Sequence, residues 1–447
     1  MSTASTPLIP PGVVTQEFRT PSTVRRGIIA GVVGNMLEWY DFALFGFFAA
    51  QIGAHFFPAS NPTASLLAAY GTFAAGFLMR PIGGAFFGWI GDKFGRKQAL
   101  LWSVLAMALP SFAIGLLPSE ATIGLAAPVL LLVFRLLQGL AVGGEYMASS
   151  VFLVEGALPG KRGLMGAWSP FGCFAGTLLG SAAGLIVNTT LPPNAVMAYG
   201  WRIPFLVGIL VALGGIVIRR NFVEKVPHQP PAKSPIGESF RNHWRTIVHL
   251  ILLVAGLSVG FYTTFVYSAT WLKQVAGMSA KNVFEINTIA MALSLGAVLA
   301  AGALSDRLGR RPVVAVVSGL LMVVSYPLMS LMAGGQWIAV LVGQLVLSLL
   351  VSAASGVLAS TMAELAPWRV RCTVLSISYN FGVALLGGTT PLMAEWLISS
   401  TGYALAPAVY MAIAGALSFI GALMLPKTMP HRLTTEFQSV RAPKVVA

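Results

Sequence analysis

The first apolar stretch carries Asn35, Glu38 and Asp41 at i, i+3 and i+6. A helix gathers that spacing onto about one third of its circumference. Two cations, Arg80 and Arg135, stand inside later apolar stretches. Counting about 1.5 Å per helical residue, Glu38 falls about 16 Å inside its helix, near the centre of any bilayer the helix crosses. A charge at that depth costs on the order of 3 kcal/mol unless it faces a polar cavity or a partner. Two acids and two arginines sum to neutrality, so one reading is a fixed ion network holding helices together. The other is exchange. Ionised Glu38 and Asp41 occupy the arginines, and protonating an acid frees an arginine for an anionic group from outside the chain. Arg135 opens the run Arg135-x-x-Gln138-Gly139-x-x-x-Gly143-Gly144-Glu145, whose glycines make a close-packed seam. Gln138 and Glu145 share a face, and Glu145, near the helix end, suits either proton coupling or pairing with loop cations.

The elements that position these groups follow from composition. The chain of 447 residues is 56% hydrophobic and 9% charged, with a mean hydropathy of +0.79. A soluble surface needs about a quarter of residues charged, so the chain reads as a polytopic membrane protein. Twelve runs are long enough to span: about 28–54, 65–90, 98–117, 122–147, 163–187, 201–219, 245–272, 283–304, 313–333, 337–362, 372–399 and 404–425. The formal charge of +14 would suit nucleic acid, but its distribution argues otherwise. Lys and Arg gather in the termini and in every second loop, while the opposite loops hold only Lys273 and Lys281. Basic loops stay cytoplasmic, which puts both termini on that side.

Gly88–Lys97 (GWIGDKFGRK) and Gly302–Arg311 (GALSDRLGRR) repeat one pattern at about half the chain length. A second pair, Glu155 to Arg162 and Glu364 to Arg371, places an acid, a proline and two cations after the fourth and tenth runs. Recurrence at that distance predicts two homologous halves. The expected architecture is all-α, with twelve transmembrane helices in two pseudo-symmetric six-helix bundles, 25–219 and 245–426. Residues 1–24 read as a disordered cytoplasmic N-terminus, 220–244 as a cytoplasmic linker, and 427–447 as a basic tail without heptads. Asp92 with Arg96, and Asp306 with Arg310, are the expected gating groups, since a carboxylate there can pair with neighbouring cations or cap a helix N-terminus.

The second half holds no acid or arginine near mid-membrane. Tyr262, Thr263, Thr264, Tyr267, Gln344, Tyr379 and Asn380 instead offer a neutral wall, with Tyr262, Tyr379 and Asn380 the expected ligand contacts. Asn35, Arg80, Arg135 and Gln138 are the candidates on the charged wall. Cys173 and Cys372 read as small buried apolar residues. Histidines scattered at 55, 228, 243, 249 and 431 suggest no metal site, and neither a nucleophile–base pair nor a phosphate loop is visible. An enzyme is therefore not expected, and no cofactor beyond a proton gradient.

These residues carry a resemblance. The two loop motifs and Arg135-x-x-x-Gly139-x-x-x-Gly143 resemble the major facilitator superfamily along nearly the whole chain. Gly34-Asn-Met-Leu-Glu38-Trp-Tyr-Asp41-Phe, Gly76-Phe-Leu-Met-Arg80-Pro-Ile-Gly-Gly84, Arg135 to Tyr146, and Gly200-Trp-Arg202-Ile-Pro-Phe205 resemble more narrowly its metabolite:proton symporters. That family includes proline/betaine, α-ketoglutarate, citrate and shikimate carriers. The resemblance implies proton-driven uptake across a bacterial inner membrane by a monomer, with Glu38, Asp41 and Arg80 functional. Arg202 matches too, but snorkelling to the interface explains it as well as contact with a solute. Two deep arginines favour a di- or tricarboxylate. The alternatives are a zwitterion such as proline or glycine betaine, and a proton-coupled exporter. The proline/betaine branch often ends in a coiled coil, which leans away from that branch here.

Overall fold

The computed structural model describes residues 21–94, 96–143, 145–158, 160–209, 213, 235–367 and 370–427. Every regular element among them is helical. Nine helices among the described residues are long and apolar enough to cross a membrane.

In the first half, α1 (Pro21–Phe47) passes a one-residue break into α2 (Ala49–Phe56). Then come α3 (Pro62–Leu78), α4 (Arg80–Phe94), α5 (Arg96–Leu116), α6 (Ala126–Val142), α7 (Glu145–Glu155) and α8 (Arg162–Thr190), followed by helical residues 202–209. Asn61 starts α3 by accepting the Thr63 amide at 2.9 Å, with Pro62 preset for the first turn. The second half comprises α9 (Pro235–Phe261), a π segment Tyr262–Tyr267, α10 (Ser268–Gln274), α11 (Ala280–Leu308), α12 (Arg310–Ala333) and α13 (Trp337–Leu365). It ends with α14 (Arg371–Gly382), a second π segment Val383–Gly387, α15 (Thr390–Thr401) and α16 (Ala406–Leu423). α9 starts inside the stretch expected to be linker and kinks at His243.

Each half packs around its own seam, and glycines set how closely helices approach. A side-chain carbon on Gly139 would overlap the Gly76 carbonyl, so α6 and α3 touch backbone to backbone beside Arg135. Between halves, α8 lies along α11 and α13. Gly163 and Gly302 face each other so closely there that neither has room for a side chain. The second of these is the leading glycine of the repeated motif. α3 also meets α15 and the second π segment.

Candidate functional site

Glu38, Asp41, Arg80 and Arg135 are all buried, and their helices bring them to one region of the first half. Arg80 opens α4 just past the break at Met79, which aims its side chain inward. Its Nη2 lies 3.5 Å from Glu38 Oε1, and its Nε donates to Asn380 Oδ1 at 3.4 Å. Asn380 reaches across from α14 and also donates from Nδ2 to the Gly143 carbonyl at 2.5 Å, where α6 breaks before α7. One amide thus ties an arginine of the first half to a helix of the second.

Arg135 is placed differently. Its guanidinium carbon sits 4.8, 4.2 and 5.2 Å from the ring centroids of Phe42, Phe45 and Phe73, and its Nη1 donates to Gln138 Oε1 at 2.7 Å. Gln138 Nε2 donates in turn to Ser111 Oγ at 2.6 Å, and Ser111 contacts Asp41. Asp41 and Arg135 are therefore linked through Gln138 and Ser111, with no direct ion pair between them among the described residues. Glu38 and Asp41 share a cavity of about 30 Å³ with Tyr40, Ser103, Met107 and Gly208, roomy enough for a water or two. Asn35 is used otherwise: its Nδ2 donates to the Ser169 carbonyl at 3.1 Å and hydroxyl at 3.0 Å, fastening α1 to α8.

Between the halves lies an aromatic box. Trp39, Tyr146, Phe174, Phe261, Tyr262 and Tyr379 surround a gap of about 20 Å³. Trp39 meets the Phe261 ring edge-on at 4.9 Å and stacks on Tyr262 at 6.1 Å; Tyr146 stacks on Tyr379 at 4.5 Å. Arg80 stands at its rim, 6.0 Å from the Tyr379 centroid. Faces of such rings attract cations, most strongly where water is excluded. Tyr262, Tyr379 and Asn380 from the expected set come together here. Gln344 instead donates to the Thr264 carbonyl at 2.5 Å and braces the π segment.

At the loop-motif end, polar contacts join the two halves. Asp306, at the end of α11, accepts the backbone amides of Gly163 at 2.7 Å and Leu164 at 3.0 Å, in the first turn of α8. A carboxylate at a helix N-terminus meets unpaired N–H groups and the positive end of the helix dipole. Arg310 Nη2 lies 2.9 Å from Asp306 and 3.0 Å from Glu364. Arg371 of the second half pairs with Glu155 of the first at 2.6 Å. The two repeated loop elements are thus partners in one latch. The side chains of Asp92, Arg96 and Glu145 lie outside the described residues.

One expectation needs correction, and several residues of the centre were not foreseen. Cys372 is exposed, because it follows Arg371 on the rim of the latch. Arg202 donates to the Leu117 carbonyl at 2.6 Å and that of Gly115 at 3.2 Å, capping the C-terminal end of α5 away from the box. Sequence reading missed Trp39, Tyr146, Phe174 and Phe261. Each is an aromatic in an apolar helix, a pattern that packing alone explains. Ser111 and the buried acid Glu395 were missed for a similar reason: each is one polar residue in a long apolar run.

Two pseudo-symmetric helical halves meeting at a buried charged and aromatic centre define a membrane transporter of the major facilitator type. The pattern of the sugar (and other) transporter family matches residues 27–228 and again 221–435, and the chain belongs to that family. It is 34% identical, over 91% of its own length and 84% of the relative's, to the glycine betaine/proline/ectoine/pipecolic acid transporter OusA of Dickeya dadantii. The proline/betaine transporter of Escherichia coli K12 matches equally at 34%, and a putative proline/betaine transporter of Staphylococcus aureus at 32% over 90% of this chain and 87% of the relative. Among solved structures, a D-xylose–proton symporter shares the fold, with a TM-score of 0.71 at 18% identity over 91% of this chain and 98% of its own.

Proposed function

We propose that the chain is a proton-coupled uptake carrier for a small zwitterion with one carboxylate and a substituted ammonium, as in proline or glycine betaine. It works by alternating access through twelve spans in two six-helix halves, 25–219 and 245–426, in a bacterial inner membrane with both termini cytoplasmic. The observation that carries this reading is the aromatic box with a single arginine at its rim. Arg80 suits one carboxylate, and the rings of Trp39, Tyr146, Phe261 and Tyr262 suit the cationic end. A di- or tricarboxylate, the substrate class that two deep arginines first suggested, would need a second free guanidinium. Arg135 keeps two nitrogens without a partner, but three phenyl rings and Gln138 pack around it and it does not line the box, so it is not placed to supply one. The named substrates of the relatives point the same way.

In this scheme ionised Glu38 holds Arg80. A proton on Glu38 frees the guanidinium for the solute carboxylate, so proton and solute load together. Asp41 is the second coupling acid, linked through Ser111 and Gln138 to Arg135. The gap in the box is too small for a solute while both ends are shut, so the halves must part to admit one. Isothermal titration of the detergent-solubilised carrier with glycine betaine, proline, α-ketoglutarate and citrate tests the substrate class. The zwitterions should bind, and Trp39→Ala should weaken betaine about ten-fold, the worth of one desolvated ring face. Binding of the carboxylates alone would overturn the reading.

A further inference from the structure

One buried acid has no part in the scheme above. Glu395, in α15, is 4% exposed and lies at the end of the carrier opposite the latch. Tyr267 donates its hydroxyl to Glu395 Oε2 at 2.8 Å, and Gln274 Nε2 approaches Oε1 at 3.5 Å. α15 packs against α3, the first π segment and α16. The titratable groups those elements present are the phenols Tyr70, Tyr262, Tyr267 and Tyr410. Lys273, beside Gln274, forms no ion pair with Glu395 among the described residues, nor does any other cation. An ionised carboxylate kept there would lack a counter-charge in a medium that penalises it by several kcal/mol.

The same cluster closes that end. The Tyr267 ring packs on Tyr70 with centroids 6.0 Å apart, and the Tyr70 hydroxyl meets Thr270 Oγ1 at 2.8 Å, joining first half to second. Parting the halves there would admit water to Glu395, and water stabilises the ionised form. Closure takes the water away, and no protein cation replaces it.

We propose that Glu395 is a further proton-binding site, beyond Glu38 and Asp41, and that its protonation favours closure of the end opposite the basic loops while its ionisation favours opening. The inference rests on the two ends closing in turn, not on which solute is carried. It gives each end its own control: the carboxylate Asp306 capping a helix at one, the protonation state of Glu395 at the other.

The test needs no solute. Val266→Cys, buried in the π segment beside Tyr267 and facing Gly46 of the first half, is placed in a Cys173→Ser, Cys372→Ser background. Intact cells are labelled with a membrane-impermeant maleimide between about pH 5 and pH 9, the range in which buried carboxyls titrate, with rates corrected for maleimide's own pH dependence. Labelling should rise with external pH by about ten-fold or more, as one titrating group dictates. Glu395→Gln keeps the side-chain volume and both hydrogen-bond partners; it should label slowly and without pH dependence. Glu395→Met, equal in length and also neutral, should behave the same, and Glu395→Asp should retain the dependence. A pH dependence that survives in either neutral variant overturns the proposal, and so does its loss in Glu395→Asp. Solute binding by the Gln variant is measured in parallel, so failure here is separable from failure of the substrate assignment.

Discussion

Removing the carboxylate of Asp306 should release the latch at the loop-motif end. Asp306→Ala deletes the acceptor for the Gly163 and Leu164 amides, at 2.7 and 3.0 Å, and leaves Arg310 with Glu364 and Ser305. Hydrogen bonds to a charged acceptor contribute about 1.5 kcal/mol each at the lower end of their range, and part of that returns when water reaches the freed amides. The Arg310 contact adds little, because its guanidinium stays paired. A net loss of about 2.7 kcal/mol for the closed state follows, a factor of about 100 in the ratio of closed to open. Asp306→Asn keeps one uncharged acceptor and should lose about half as much free energy, or about ten-fold. Ser360→Cys serves as reporter, since Ser360 is fully buried and packs near Gly166 on the facing helix. With the native cysteines replaced by serine, maleimide labelling in inside-out vesicles should quicken in the order wild type, Asp306→Asn, Asp306→Ala. A change under about three-fold in Asp306→Ala would refute the reasoning, because the capping contact would then contribute under about 0.7 kcal/mol.

Three further outcomes follow from the site. Glu38→Gln should let the zwitterion equilibrate but abolish its accumulation against a gradient, read as the ratio of internal to external solute with and without an uncoupler. Arg80→Lys keeps the charge but loses the planar fork that spans Glu38 and Asn380, so uptake should fall about ten- to a hundred-fold, mostly through a raised KM. Gly139→Val should destabilise the carrier by about 3 kcal/mol or more, because its Cβ meets the Gly76 carbonyl, which no rotamer change relieves. A lowered Tm in detergent, with little protein recovered, would report it.

The charged centre was legible in the sequence because charge is rare in apolar helices. Glu38, Asp41, Arg80 and Arg135 could be picked out singly, but neutrality does not tell which acid meets which arginine; only the structure joins Arg80 to Glu38. The latch was half legible: the repeat singled out Asp306 and Arg310 and offered helix capping as one role, but not that the helix capped is α8 of the other half. The aromatic box was legible only in Tyr262 and Tyr379. Trp39, Tyr146, Phe174 and Phe261 come from four different helices, and only the crossing of the halves brings them together. Arg135 is the converse case. Its charge suggested a ligand contact, yet Phe42, Phe45 and Phe73 from α1 and α3 close around it. Glu395 hid inside an apolar run whose partner, Tyr267, lies far away in sequence, so only the packed structure joins them.

The most direct test of proton-coupled zwitterion uptake is to let the solute drive the proton. Proteoliposomes containing a trapped pH indicator, with no pH gradient imposed, are given an inward gradient of glycine betaine or proline under conditions that clamp the membrane potential. The account predicts internal acidification in step with solute entry, absent in Glu38→Gln and absent when the solute is citrate. Solute entry without acidification, or acidification driven by citrate alone, would contradict it.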